Sequence, residues 1–143
     1  MTVRQFRFRL NSKPGAPAAE AQPAAIDLLD ADGCWQPQRI DAATPGFRLY
    51  LIALLLCLHT AIVMQSADLG LALQEVQGEL QAQVLDDWSL EAVEADLRLR
   101  FAGSIAEGGL ATALEQIRAR MDQCPVSRNL PGTVRKRFGV SLA

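Results

Sequence analysis

The chain has 143 residues, half of them apolar and 21% charged, with seven prolines and ten glycines, the composition of one ordinary globular domain. Fourteen Lys and Arg against sixteen Asp and Glu leave a formal charge of −2, so no cationic excess exists to hold a phosphate backbone or an anionic membrane surface. A single histidine, 6% aromatic residues and the lack of any C-x-x-C pair argue against a zinc site and a base-stacking platform.

At the N-terminus, MTVRQFRFRL alternates charge with bulk and leads into no apolar run, so it does not read as a secretory signal, and a reducing, cytoplasmic compartment is expected. Phe6, Phe8 and Leu10 alternate with Gln5, Arg7 and Arg9, the period of a half-buried strand. Residues 11–25 form a proline- and alanine-rich loop. Residues 26–29 and 38–40 flank the turn-like DADG at 30–33 and are expected to pair as a short hairpin. Thr44 suits an N-cap and Pro45 a first helical residue, which predicts a central helix over 45–67.

Within that helix, residues 49–64 carry no formal charge with His59 neutral. This is short of the roughly 20 residues a membrane span requires. Arg48 and Asp68 bound the run, and His59 and Thr60 interrupt it. A helix apolar on all sides is instead expected to be the buried centre of a compact fold, covered by sheet and by a partner surface.

Beyond it, Val76, Gly78, Leu80, Ala82 and Val84 alternate with polar residues, as do Val93, Ala95, Leu97, Leu99 and Phe101. The two runs are separated by DDWS at 86–89, which predicts an antiparallel pair of long strands. Leu110, Leu114, Ile117, Met121 and Cys124 then recur at helical spacing. Pro131-Gly132 breaks the chain before a closing strand marked by Val134, Phe138, Val140 and Leu142. The order predicts an α+β domain with helices on one face of a largely antiparallel sheet.

Taken alone, Cys57 reads as a buried thiol serving as a small hydrophobe. Cys124 precedes Pro125, which presets a new helical turn and leaves the cysteine at its N-cap, where backbone N–H groups favour a thiolate. It equally reads as the residue that closes the apolar stripe. Cys34, beside Trp35, reads as a structural or incidental thiol, and His59, about 200° around the helix from Cys57, as a buried, hydrogen-bonded imidazole. The Arg135-Lys136-Arg137 run reads as the solvated part of an edge strand.

A cysteine inside a long apolar helix that opens after a proline, then two amphipathic strands, then an amphipathic helix ending in Cys124-Pro125-Val126-Ser127-Arg128, resembles the OsmC/Ohr family of thiol-dependent peroxidases. The likeness covers 44–143 well and the first 43 residues loosely, and CPVSRNL is its most specific element. It implies a single OsmC-like domain over 1–143, with N-terminal strands and loop in 1–43 and a helix-strand-strand-helix-strand core in 44–143. It implies further an intertwined homodimer with sites at the subunit interface. By the same resemblance Cys57 is the peroxidatic and Cys124 the resolving cysteine, with a small organic hydroperoxide as substrate and a dithiol or lipoyl-bearing protein as reductant. No cofactor or metal, nucleic acid or membrane is implied.

Two family features are missing. Gly46 and Phe47 follow Pro45 where the family usually has a glutamate, and residues 11–25 contain Lys13 but no arginine. Arg9, Arg39 and Arg48, with Glu75 and Glu79, are the residues left to replace that charged pair, though each also reads as a surface residue. The alternative expectation is therefore an OsmC-fold protein that has lost peroxidase power and binds a small apolar ligand or serves as a scaffold.

Overall fold

The structure, a computed structural model, describes residues 3–15, 24–103, 105 and 107–143. Residues 16–23 of the expected proline- and alanine-rich loop lie outside the described residues. The elements in chain order are β1 (Arg4–Ser12), β2 (Ala25–Leu29), β3 (Trp35–Pro37), α1 (Gly46–Asp68), β4 (Leu73–Val84), β5 (Leu90–Phe101), α2 (Glu107–Asp122), α3 (Pro125–Arg128) and β6 (Arg135–Leu142). The strands form one sheet in the order β3-β2-β1-β4-β5-β6, antiparallel throughout except that β6 runs parallel to β5. This is the α+β arrangement expected from the alternating strands and the two helical stripes.

Alternation gives the sheet two unlike faces. Phe8, Leu10, Val76, Leu80, Val93, Ala95, Leu97, Leu99 and Phe138 are buried beneath the helices. The other face carries Arg7, Arg9, Glu75, Glu79, Glu94, Arg100 and Arg137, joined in cross-strand ion pairs such as Arg7 to Glu79 at 2.7 Å and Arg100 to Glu75 at 3.0 Å. These pairs are solvent-exposed, so each is worth at most about 1 kcal/mol. Gly78 is the small residue of the buried row. A Cβ there would meet the backbone carbonyl of Asp96 and come within 2.8 Å of Leu97 Cα, so β5 can lie close only because the side chain is missing.

The hairpin differs from the sequence expectation. Its second strand is Trp35–Pro37, not 38–40. The turn closes tightly, with Gly33 N–H donating to the Asp30 carbonyl at 3.1 Å and Asp30 N–H to that of Cys34 at 2.8 Å, so pairing resumes at once with Trp35 opposite Leu29. Pro37 sits opposite Asp27 with its ring nitrogen on the sheet's outer edge, where no N–H is needed, and a last bond from Gln38 N–H to the Ile26 carbonyl at 2.8 Å closes the pairing. Trp35 is held by the Arg9 guanidinium, 4.8 Å from its ring centroid.

The helix α1 lies across the buried face. Leu51, Ile52, Leu54, Leu55, Leu58 and Ile62 are fully buried, each contributing about 1.5–3 kcal/mol on leaving water. It starts one residue later than expected: Pro45, with ψ 135°, is the N-cap, and Thr44 does not cap. The Thr44 hydroxyl instead donates to the Arg39 carbonyl and accepts from Asp41 N–H, both at 3.0 Å, closing the preceding turn. At its other end Arg120 of α2 donates to Asp68 at 2.6 Å and to Gln65 at 3.0 Å, fastening α2 beside α1. By length and composition α1 is also long and apolar enough to cross a membrane; in this fold its most buried side is the floor of the core.

That core covers one side of α1 only. Ala53, Thr60 and Met64 are exposed, and Leu49, Leu56, Cys57 and Val63 are half-buried. Leu49, Ala53, Leu56, Thr60 and Val63 follow one another at helical spacing, so they form a continuous apolar stripe turned away from the sheet.

Candidate functional site

Cys57 occupies the middle of α1, half-buried between the core side, with Leu54 and Leu58, and the uncovered stripe. Cys124 arrives from the other end of the chain. The stripe of α2 buries Ala113, Ile117 and Met121 against the core, which carries the chain inward to Cys124. Pro125 disfavours helical backbone at the residue before it. Cys124 accordingly adopts φ −62°, ψ 142°, leaves α2, and becomes the N-cap of α3, with Pro125 in the first turn. Its Sγ accepts a hydrogen bond from Ser127 N–H at 3.4 Å.

The two thiols are neighbours. Cys57 is near enough to Cys124 to shift its titration, and neither is in a disulfide. Cys124 is only 5% exposed. Burial, and then the neighbouring Cys57, push its thiol up to about 11, while the N–H groups of Ser127 and Val126 pull in the opposite direction. The accessible thiol of the pair is therefore Cys57, and the sheltered one Cys124.

The charged residues that were candidates to assist Cys57 stand elsewhere in the protomer. Arg9 pairs with Asp27 at 2.6 Å, Glu79 with Arg7, and Glu75 with Arg100, all on the outer face of the sheet. Arg39 is exposed in the segment after the hairpin, and Arg48 donates to the Gln38 side chain at 3.4 Å at the start of α1. His59 is half-buried, with Nε2 2.6 Å from Ser12 Oγ, and burial holds its imidazole below the ordinary range. It ties α1 to β1 as a hydrogen-bonded core histidine. Cys34 is exposed in the hairpin turn. Among the described residues no group of three His, Cys, Asp or Glu is arranged to hold a metal ion.

The basic run at 135–137 splits in a way the sequence reading missed. Arg135 and Arg137 point outward and pair with Glu91 at 4.0 Å and Glu94 at 3.2 Å. Lys136 is also exposed but leaves the opposite side of the strand, and its Nζ donates to the Ser127 carbonyl at 3.2 Å and to Ser127 Oγ at 3.4 Å. The signal was present: Val134, Phe138 and Val140 share one parity, and Lys136 fills the gap between them.

The six-stranded sheet with its three helices has the OsmC-like fold. Among solved structures, an OsmC-like hydroperoxide resistance protein from Jannaschia sp. superposes with a TM-score of 0.58 at 15% identity, covering 88% of this chain and 86% of its own. An OsmC-like protein of unknown function from Vibrio cholerae gives 0.57 at 10% identity, with 81% and 83% covered, and an OsmC-like protein from Mycoplasma pneumoniae 0.54 at 12%, with 83% and 89%. No protein-family model matches the sequence. No curated protein matches it either.

Proposed function

We propose that this protein reduces organic hydroperoxides by a two-cysteine mechanism, and the single observation that carries the reading is the Cys57–Cys124 thiol pair at the centre of the fold. The hydroperoxide resistance named for the Jannaschia structure supports the same substrate class. Cys57 is the attacking group because it is the accessible thiol. Its thiolate bonds to one oxygen of the hydroperoxide, the O–O bond breaks, and the alkoxide takes a proton and leaves as an alcohol. Cys57 is left as a sulfenic acid. The Cys124 thiolate then attacks that sulfur, the S–S bond forms, and hydroxide leaves with a proton as water. A small dithiol or a lipoyl-bearing protein returns both thiols and is itself oxidised to a disulfide.

The apolar flank of Cys57, formed by Leu54, Leu56 and Leu58, suits an alkyl hydroperoxide better than hydrogen peroxide. In the same proposal the protein works as a homodimer, with the stripe from Leu49 to Val63 as the contact between subunits, since an apolar helix face of this length is ordinarily covered.

Counting free thiols before and after one equivalent of cumene hydroperoxide tests the reading. Two of the three thiols should disappear, with Cys34 retained. If all three survive across the pH range, the reading fails in favour of a ligand-binding or scaffold protein. That alternative is favoured by Gly46 and Phe47 after Pro45 and by the outward pairing of Arg7 and Arg9.

A further inference from the structure

We propose that Lys136 is a positioning residue for the second step, the ammonium group that supports the Cys124 thiolate as it attacks the oxidised Cys57. The proposal rests on the two-cysteine reading above. Its starting point is that one cation of three reaches to the helix side of the strand. Arg135 and Arg137 each have a carboxylate on the outer face, whereas Lys136, though exposed, pairs with no carboxylate among the described residues, and its hydrogen bonds go to the carbonyl and hydroxyl of Ser127.

Ser127 is fully buried, and its own N–H donates to Cys124 Sγ at 3.4 Å. This short chain of contacts places the ammonium within about 10 Å of the sulfur. At that separation the attraction between the two charges is only partly screened at about 0.1 M salt.

The other groups around Cys124 do not supply that charge. From α1 it faces Cys57, and from α3 backbone N–H groups. On α2, Arg120 is engaged by Asp68, and Asp122 faces Arg118 at 3.5 Å. The His59 imidazole is directed at Ser12, and Arg128 is exposed at the end of α3. Burial raises the cost of ionising Cys124. In the proposal the Lys136 ammonium, held at Ser127, offsets part of that cost. In the step itself Lys136 gives up no proton. Cys124 loses its proton to solvent, the S–S bond forms as the S–OH bond breaks, and the departing hydroxide regains a proton as water.

The test uses the full chain with Cys34→Ser and needs no peroxide. Cys57 reacts with 4,4′-dithiodipyridine to give a mixed disulfide and one thiopyridone. Cys124 then displaces the second thiopyridone and closes the Cys57–Cys124 bridge, so the second phase reads the nucleophilicity of Cys124 alone. Lys136→Gln keeps a donor for Ser127 but no charge, and Lys136→Arg keeps the charge. Between about pH 7 and 9 the second phase should slow about three- to tenfold in Lys136→Gln, equivalent to roughly half to one unit of thiolate midpoint, and stay within about twofold in Lys136→Arg. The first phase should be unchanged in both.

An unaltered second phase in Lys136→Gln, equal slowing in both variants, or no second phase in the parent chain would overturn the proposal. Failure of the peroxide reading would show separately, as surviving thiols after cumene hydroperoxide in a chain whose thiopyridone phases are normal.

Discussion

Oxidising the Cys57–Cys124 pair should stabilise the fold by an amount the structure sets. The two thiols are neighbours, and a bridge between them closes a loop of about 67 residues, which costs the unfolded chain about 4.4 kcal/mol of entropy. With a urea slope near 2 kcal/mol/M for a domain of this size, the midpoint should move up by about 2 M. The gap should widen in alkali. In the reduced protein the Cys124 thiol is held near 11 in the fold against an ordinary value of 9.0, so the unfolded chain loses its proton first. Stability is therefore lost as the pH rises from about 9 to 11, by up to about 3 kcal/mol, whereas the oxidised protein has no such thiol. The assay is urea unfolding of Cys34→Ser protein, oxidised and reduced, at pH 8 and about 10.5, with peptide mapping of the bridge. A midpoint unmoved by oxidation, or a gap that narrows with pH, would refute the reasoning.

Cys57→Ser should abolish hydroperoxide reduction in a stopped peroxide assay, whereas Cys124→Ser should still consume one equivalent and accumulate a sulfenic acid trappable by dimedone, without turnover. Gly78→Ala should lower stability by about 3 kcal/mol or more in thermal unfolding, because the added methyl meets backbone of β5 rather than a movable side chain. Sedimentation should find a dimer, and Leu56→Glu, which places a charge in the uncovered stripe, should shift it toward monomer; a parent chain that sediments as a stable monomer counts against the proposed assembly.

Periodicity alone determined most of the architecture. The period-two runs on β1, β4, β5 and β6 and the helical spacing of Leu110 to Cys124 depend on the chain's own geometry, and each lies where the alternation put it. So does the Cys124 cap, because the constraint of Pro125 on its predecessor is local. The elements misjudged were those whose position depends on a competing partner. The short strand β3 is fixed by a turn closing between Asp30 and Cys34, and the α1 cap was lost when Thr44 found closer groups in its own loop.

Of the site, the sequence held the two cysteines but not their distance: contact between residues so far apart in the chain is decided by how α1 and α3 pack. Two further facts belonged to tertiary structure. Arg9, Glu75 and Glu79, weighed as helpers for Cys57, alternate with the buried rows and so belong to the far face, which becomes a barrier only when the sheet forms. Lys136 has the opposite parity, and what gives its ammonium a fixed place is Ser127, delivered by a different element to meet it. Local chemistry specifies which groups are present and which way they alternate; packing decides which of them meet.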